Sequence, residues 1–173
     1  VSGDPADRPC AADGRPLAAK PASASKVQTV NLVFPGDANP HGTIFGGRVM
    51  QWVDMVGAMA AQRHSRQIVV TVSMDALEFK APIYVGEYAI LTAQVNRTWR
   101  SSMEVQVRVE AEHPLSGEQR LSAEAFLTFV ALDRDKRPTP VRPIVPESED
   151  ERQRYAAAEA RRKARLEFEA KHG

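Results

Sequence analysis

The amino-acid sequence predicts an α+β fold: a curved antiparallel sheet wrapped around one long central helix, with a second, charged helix at the C-terminus. Three observations carry this expectation. From Gly46 to His64 the apolar residues Val49, Met50, Trp52, Val53, Val56, Met59 and Ala60 cover most of a helix's circumference, the pattern of a helix enclosed on nearly all sides. Later segments alternate apolar and polar residues with period two, giving one dry and one wet face. Short connections join those segments, so they pair as antiparallel neighbours.

The elements follow in order. Residues 1–25 are rich in Ala, Pro, Ser, Gly and Asp without apolar periodicity and read as a flexible N-terminal tail. Val27 to Phe34 is β-rich and reads as the first strand, and "PGDANPHG" after it is a loop by composition. The central helix comes next, then a strand from Val69 to Phe79. Between Tyr88 and Thr98 the residues Ala89, Leu91, Ala93 and Val95 share one face. Between Ser102 and Glu112, Met103, Val105, Val107, Val109 and Ala111 alternate with Glu104, Gln106, Arg108, Glu110 and Glu112, the wet face. "HPLSGE" turns the chain into the last strand, Gln119 to Leu132. "RPTPVRPIVP" leaves the sheet as an extended segment. Residues 147–173 form the charged C-terminal helix, acids first and bases later, an order that suits the helix dipole.

Composition bounds the function. The 173 residues carry 23 Lys+Arg against 22 Asp+Glu, a formal charge of +1, which does not support a nucleic-acid partner. The single cysteine, Cys10, rules out an intrachain disulfide. His41, His64, His113 and His172 lack metal-ligand spacing, so no metal is expected. No apolar run reaches the roughly 18 residues a membrane span needs, so no membrane partner is expected. Asp4, Pro5, Asp7 and Arg8 stand where a secretory signal would need an apolar run, and the expectation is a cytoplasmic location. The sequon at Asn96 has no meaning there.

Four pieces in this order, "NPHGTIFGGRVMQWVD", "VVTVSMDALEFKAPIYVGE", "RSSMEVQVRVEAE" and "EAFLTFVALD", resemble the hot-dog-fold acyl-CoA thioesterases. The nearest likeness is to the bacterial short-chain acyl-CoA hydrolases and the cytosolic acyl-CoA hydrolases of animals. The resemblance spans Val27 to Pro146, and residues 26–146 are read as a hot-dog acyl-CoA thioesterase domain; "PESEDERQRYAAAEARRKAR" is similar to the trailing helix of some members. It implies hydrolysis of acyl-CoA to free fatty acid and coenzyme A. No cofactor is implied, coenzyme A being part of the substrate and a product. It implies a homo-oligomer, a dimer at least, with sheets joined side by side, thioesters at the dimer interface and a trimer of dimers as the larger assembly. It maps the catalytic carboxylate onto Asp54, the helix-start glycines onto Gly46 and Gly47, and onto Asn39 a loop asparagine that faces the partner subunit's aspartate. Where several relatives have Asn, this chain has His41.

The residues suit that chemistry. An ionised carboxylate among Val, Met and Trp is costly to bury, and Asp54 is tolerable if its helix faces a ligand cleft with a partner opposite. A helix N-terminus offers unpaired N–H groups and a positive dipole end, and glycine admits a carbonyl to the backbone, so the Gly47 N–H is a candidate oxyanion donor. Asp54 activates water as general base or attacks directly, the base being favoured. Gly57, three residues after Asp54, reads as leaving room beside it. Asn39 would orient water or thioester, or equally form a turn before Pro40. Thr71 is a candidate hydroxyl beside the water, or simply a strand former. Arg100, Ser101 and Ser102, where the resemblance places the coenzyme arm, suit phosphate and amide contacts, or are solvated.

Two other functions compete. A hot-dog hydratase or dehydratase needs a histidine paired with a carboxylate, and none lies within the helix core. A non-catalytic acyl-CoA sensor or scaffold needs no acid at the cleft, and Asp54 speaks against it.

Overall fold

The computed structural model describes residues 15–172. Its main sheet has five strands: β2 (Val27–Leu32), β3 (Ile68–Phe79), β4 (Tyr88–Thr98), β5 (Ser102–Glu112) and β6 (Gln119–Leu132). They lie in the order β2-β4-β5-β6-β3, every pair antiparallel. The long helix α1 (Gly46–Ser65) packs across one face. The dry positions of the alternating segments, among them Leu91, Val105, Val107, Leu127 and Phe129, are fully buried against Val49, Val53, Val56 and Ala60 of α1. Gly57 lets helix and sheet approach: a Cβ there would meet the Phe129 ring at 3.1 Å and Val107 at 3.5 Å. It therefore serves packing, and the expectation that it leaves ligand space beside Asp54 is corrected.

The strands that alternate pair with their sequence neighbours, but β3 does not. It crosses the fold to pair with β6, with Thr71 opposite Phe129, and forms a free edge. Its register shifts twice, between Thr71 and Ser73 and between Met74 and Ala76, so the strand is bulged on both sides of Ser73.

The enclosure of α1 is incomplete within one chain. Met50, Met55 and Met59 are 43–47% exposed, apolar side chains around the helix that the sheet does not cover.

On the opposite face of the sheet lies α2 (Glu149–His172), held by charge rather than by an apolar stripe. Glu104, 1% exposed, accepts from Arg161 Nε at 2.9 Å and Nη2 at 2.7 Å and from Asn96 Nδ2 at 3.0 Å. The same guanidinium stacks 3.9 Å from the Phe126 ring centre. Arg165 pairs with Asp75 of β3 and donates to Thr128 Oγ1 at 2.9 Å. The wet face expected of β5 is thus dry at Glu104, because a helix arginine replaces water as its partner.

Part of the segment expected as a flexible tail, residues 20–25, is structured. Residues 1–14, with Cys10, lie outside the described residues. Lys20–Pro21, strand β1, pairs in parallel with β7 (Ile144–Val145). A 3-10 turn follows at Ala22–Ser25, where buried Ser25 accepts from the Val95 N–H at 2.9 Å. The strand pairing, the Ser25 hydroxyl on a strand N–H and the buried Ala22 dock this segment, and none of these shows as periodicity.

Candidate active site

The loop before α1 is built around Asp37 and Asn39. The Asp37 carbonyl accepts from the Phe45 N–H at 2.8 Å, and its carboxylate pairs with Arg48 Nε at 2.8 Å. Asn39 Oδ1 accepts from the His41 N–H, and Asn39 Nδ2 donates to Thr43 Oγ1, both at 2.9 Å. Both ends of Asn39 are thus engaged in an Asx turn that shapes the loop.

At the start of α1 the Phe45 carbonyl takes two N–H groups, those of Arg48 at 2.9 Å and Val49 at 3.3 Å. The N–H groups of Gly46 and Gly47 have no acceptor among the described residues. They are the orphan donors of a helix N-terminus, at the positive end of its dipole. A Cβ on Gly47 would meet the exposed Phe45 ring at 3.1 Å, so a side chain there would displace that ring. Two cavities reach this terminus. One, of about 560 Å³, is lined by Asp37, Phe45, Gly47, Arg48 and Gln51. The other, of about 370 Å³, touches Gly46 and Val49.

Two turns along the helix, Asp54 is half-buried, and its Oδ1 accepts from Thr71 Oγ1 at 2.6 Å. The second carboxylate oxygen has no partner among the described residues. Thr71 reaches it from the edge strand immediately before the first bulge. The glycine N–H groups and Asp54 do not meet within one chain. Seven residues of α-helix separate Gly47 from Asp54, a rise of about 10 Å.

Arg100, Ser101 and Ser102 lie at the β4–β5 turn. Their carbonyls accept from Val141, Ala131 and Trp99 respectively, each at 2.9 Å. Ser102 is opposite Val130, and Val130 opposite Val70, so it lies two strand spacings, roughly 10 Å, from the Thr71 segment of its own chain. The site residues expected from the sequence therefore fall into three groups: Asn39 with Gly46 and Gly47, Asp54 with Thr71, and the Arg100–Ser102 turn. Phe45, Arg48 and Gln51 escaped notice; the glycine pair that they flank was the signal. His64, 1% exposed, is held by Arg142 O at 2.8 Å at the far end of α1, and burial pushes its pKa down. Among the described residues no group of three or more His, Cys, Asp or Glu could hold a metal ion.

A profile of the thioesterase superfamily matches residues 41–118. Over 127 residues the chain is 46% identical to an uncharacterized acyl-CoA thioester hydrolase of Bacillus subtilis, YkhA, covering 73% of this chain and 74% of that protein. It is 35% identical over 141 residues to the cytosolic acyl coenzyme A thioester hydrolase of Rattus norvegicus, covering 80% of this chain but only 37% of that protein. Among solved structures, an apo-hexameric acyl-CoA thioesterase superposes with TM-score 0.87 at 40% identity, over 89% of this chain and 99% of that one. An acyl-CoA hydrolase of Staphylococcus aureus, in complex with butyryl coenzyme A, coenzyme A and coenzyme A disulfide, superposes with TM-score 0.83 at 36% identity, over 88% and 93%. Three further structures of that hydrolase are alanine variants of an asparagine, an aspartate and a threonine, and their spacings, 15 and 17 residues, equal those of Asn39, Asp54 and Thr71. With its sheet wrapped on α1 and this degree of identity along most of its length, the chain belongs to the hot-dog acyl-CoA thioesterases of the thioesterase superfamily.

Proposed function

We propose that this protein hydrolyses acyl-CoA thioesters in a site shared between two copies of the chain, with Asp54 as general base. The observation that carries the reading is the Asp54–Thr71 pair. The threonine hydroxyl occupies one carboxylate oxygen and leaves the other to take a proton from water. That water attacks the thioester carbonyl carbon. The developing oxyanion needs donors, and the free N–H groups of Gly46 and Gly47 suit it. Because these lie about 10 Å along the helix from Asp54, the donors facing one Asp54 come from the second copy. The tetrahedral intermediate then expels the coenzyme A thiolate, which takes the proton back from Asp54. In this reading residues 26–146 are the catalytic domain, Asn39 fixes the loop that delivers the glycines, and the Arg100–Ser102 turn meets the coenzyme arm.

Apolar surface supports the dimer. The edge strand β3 exposes Ile68, Val70 and Val72, and α1 exposes Met50 and Met55. A long free edge with apolar side chains is a surface that a monomer conceals. A second copy pairing along β3 would extend the sheet and cover apolar side chains exposed on α1. A trimer of such dimers is the assembly we propose, consistent in subunit number with a hexameric relative. No helix among the described residues is long and apolar enough to cross a membrane, and the proposed location is the cytoplasm, matching the cytosolic relative.

The hydratase reading is weaker, since His64 is buried about 15 Å along the helix from Asp54. Thiol release from acyl-CoA, followed with a thiol reagent, tests the proposal. Asp54→Asn should lower kcat about 100-fold or more in a folded protein. Turnover near the wild-type rate in that variant would refute the role of Asp54, and absence of release from every acyl-CoA would favour the sensor.

A further inference from the structure

We infer that the acyl chain enters the 370 Å³ cavity beside Gly46 and that Val49 and Ala81 at its walls limit the chain length; this rests on the hydrolase reading above. The two cavities meet the helix N-terminus from opposite sides. At 100° per residue, Gly46 and Val49 share one side of α1, while Gly47, Arg48 and Gln51 share the other. A thioester carbonyl held at the free glycine N–H groups has two arms of different chemistry. The acyl arm is apolar, and the pantetheine arm carries amides.

The cavity walls differ in the same sense. The smaller one is lined by Ile44, Val49, Phe79 and Ile83, and its floor is inside the protein, with Val49, Ile83 and Ser122 no more than 2% exposed. Its lining joins Gly46 and Val49 of α1 to Phe79 of β3 and Ser122 of β6. The larger one presents Asp37, Arg48 and Gln51, groups that can hydrogen-bond amides. At about 30 Å³ for a water-sized group, the cavity has room for on the order of ten methylene-sized groups. Each methylene buried there should raise kcat/KM about fourfold until the cavity is full. The roof is fixed rather than mobile: Arg120 bridges Glu87 and the Pro82 carbonyl, clamping the loop that carries Ala81 and Ile83.

The test is the chain-length profile of kcat/KM from acetyl- to lauroyl-CoA in wild type, Ala81→Leu, Val49→Leu and Gln51→Leu. Ala81→Leu and Val49→Leu narrow the cavity from two different elements, and each should lower the octanoyl-to-acetyl ratio at least tenfold. Gln51→Leu, in the other cavity, should leave that ratio within about threefold of wild type. Ala81 is only half-buried, so its variant keeps the test alive if Val49→Leu fails to fold. If the folded Ala81→Leu enzyme keeps the wild-type ratio, or if Gln51→Leu shifts it instead, the acyl chain lies elsewhere and the inference is overturned. If wild type releases coenzyme A from no thioester, the hydrolase reading itself fails and takes this inference with it, an outcome distinct from an unchanged profile in an active enzyme.

Discussion

The Thr71 hydroxyl bridges an edge strand and a central helix by donating to Asp54 Oδ1 at 2.6 Å. Thr71 does not come close to Asp54 by sequence adjacency. It is brought there because β3 crosses to pair with β6, which places the strand alongside the exposed side of α1. A hydroxyl bound to a carboxylate restricts its rotamer and leaves the second oxygen free to take a proton.

Removal of that bond should be felt in turnover. Thr71→Val keeps shape and strand preference but not the donor, and kcat should fall roughly tenfold, as for a charge-assisted hydrogen bond. KM should stay within about threefold, and Thr71→Ser should recover most of the rate. Steady-state kinetics decide: a fully active Thr71→Val enzyme would mean that the threonine is only a strand former.

A shared site predicts complementation. Asn39→Ala and Asp54→Asn chains, each inactive alone, are mixed under conditions that exchange subunits. Random pairing should return up to about a quarter of wild-type activity, because half the dimers are mixed and each has one intact site. No recovery, with exchange verified by labelled chains, would mean that each chain carries a complete site.

The free edge of β3 should be sensitive to charge. Val72→Lys places an ammonium group on an apolar edge and should shift the protein toward monomer, with activity falling in parallel. Light scattering and rate measured across protein concentration check this; an active monomer would remove the need for a partner.

Acid should loosen the roof of the smaller cavity. The Arg120 guanidinium beside Glu87 holds that carboxyl below its ordinary 4.5, against the opposing effect of burial. A carboxyl lowered in the folded state contributes stability in full above its unfolded pKa and loses it as pH falls through the folded value. The stability difference between wild type and Glu87→Gln should therefore be constant above about pH 5 and shrink below it. Arg120→Ala, leaving Glu87 buried and unpaired, should cost about 2 kcal/mol, less than a fully enclosed pair because the Arg120 side chain is 30% exposed. Urea unfolding from pH 3 to 7 measures both.

The polar docking of α2 makes a separate claim. Arg161→Ala strands the Glu104 carboxylate beneath the helix and should cost about 3 kcal/mol. Replacing both by methionine should recover most of that loss, since the burial penalty goes with the charge. Denaturant midpoints of the two variants test it; a double variant as unstable as the single would point to packing instead.

Sequence pattern revealed what depends on local periodicity. The bounds of β4, β5 and β6 follow from alternation alone, and α1 from its apolar content and its glycine start. What escaped depends on distant partners. Glu104 looks like any solvent-facing acid until Arg161 arrives from 57 residues away. Gly57 resembles a ligand-facing gap until Phe129 fills it. Met50 and Met59 of α1 counted as apolar in the sequence, and that pattern could not say whether the chain's own sheet or a second copy covers them. For the site, the Asp54 carboxylate and the glycine pair were visible as chemical anomalies, whereas Thr71 read equally as a hydroxyl beside the water or a plain strand former, because only the pairing of β3 with β6 brings its hydroxyl to Asp54.

The long crossing of β3 also sets an order in time. Thr71 pairs with Phe129, 58 residues later in the chain, while β4, β5 and β6 close on one another through short turns. On the ribosome, at about 5–20 residues per second, β3 waits several seconds for its neighbour, with Ile68, Val70 and Val72 uncovered. The meander should gain amide protection first and β3 last, which pulse-labelled hydrogen exchange during refolding can observe. In the site we propose, catalytic competence is then the final event of folding, and slowing synthesis between Phe79 and Gln119 should lengthen the interval in which nascent chains adhere to one another.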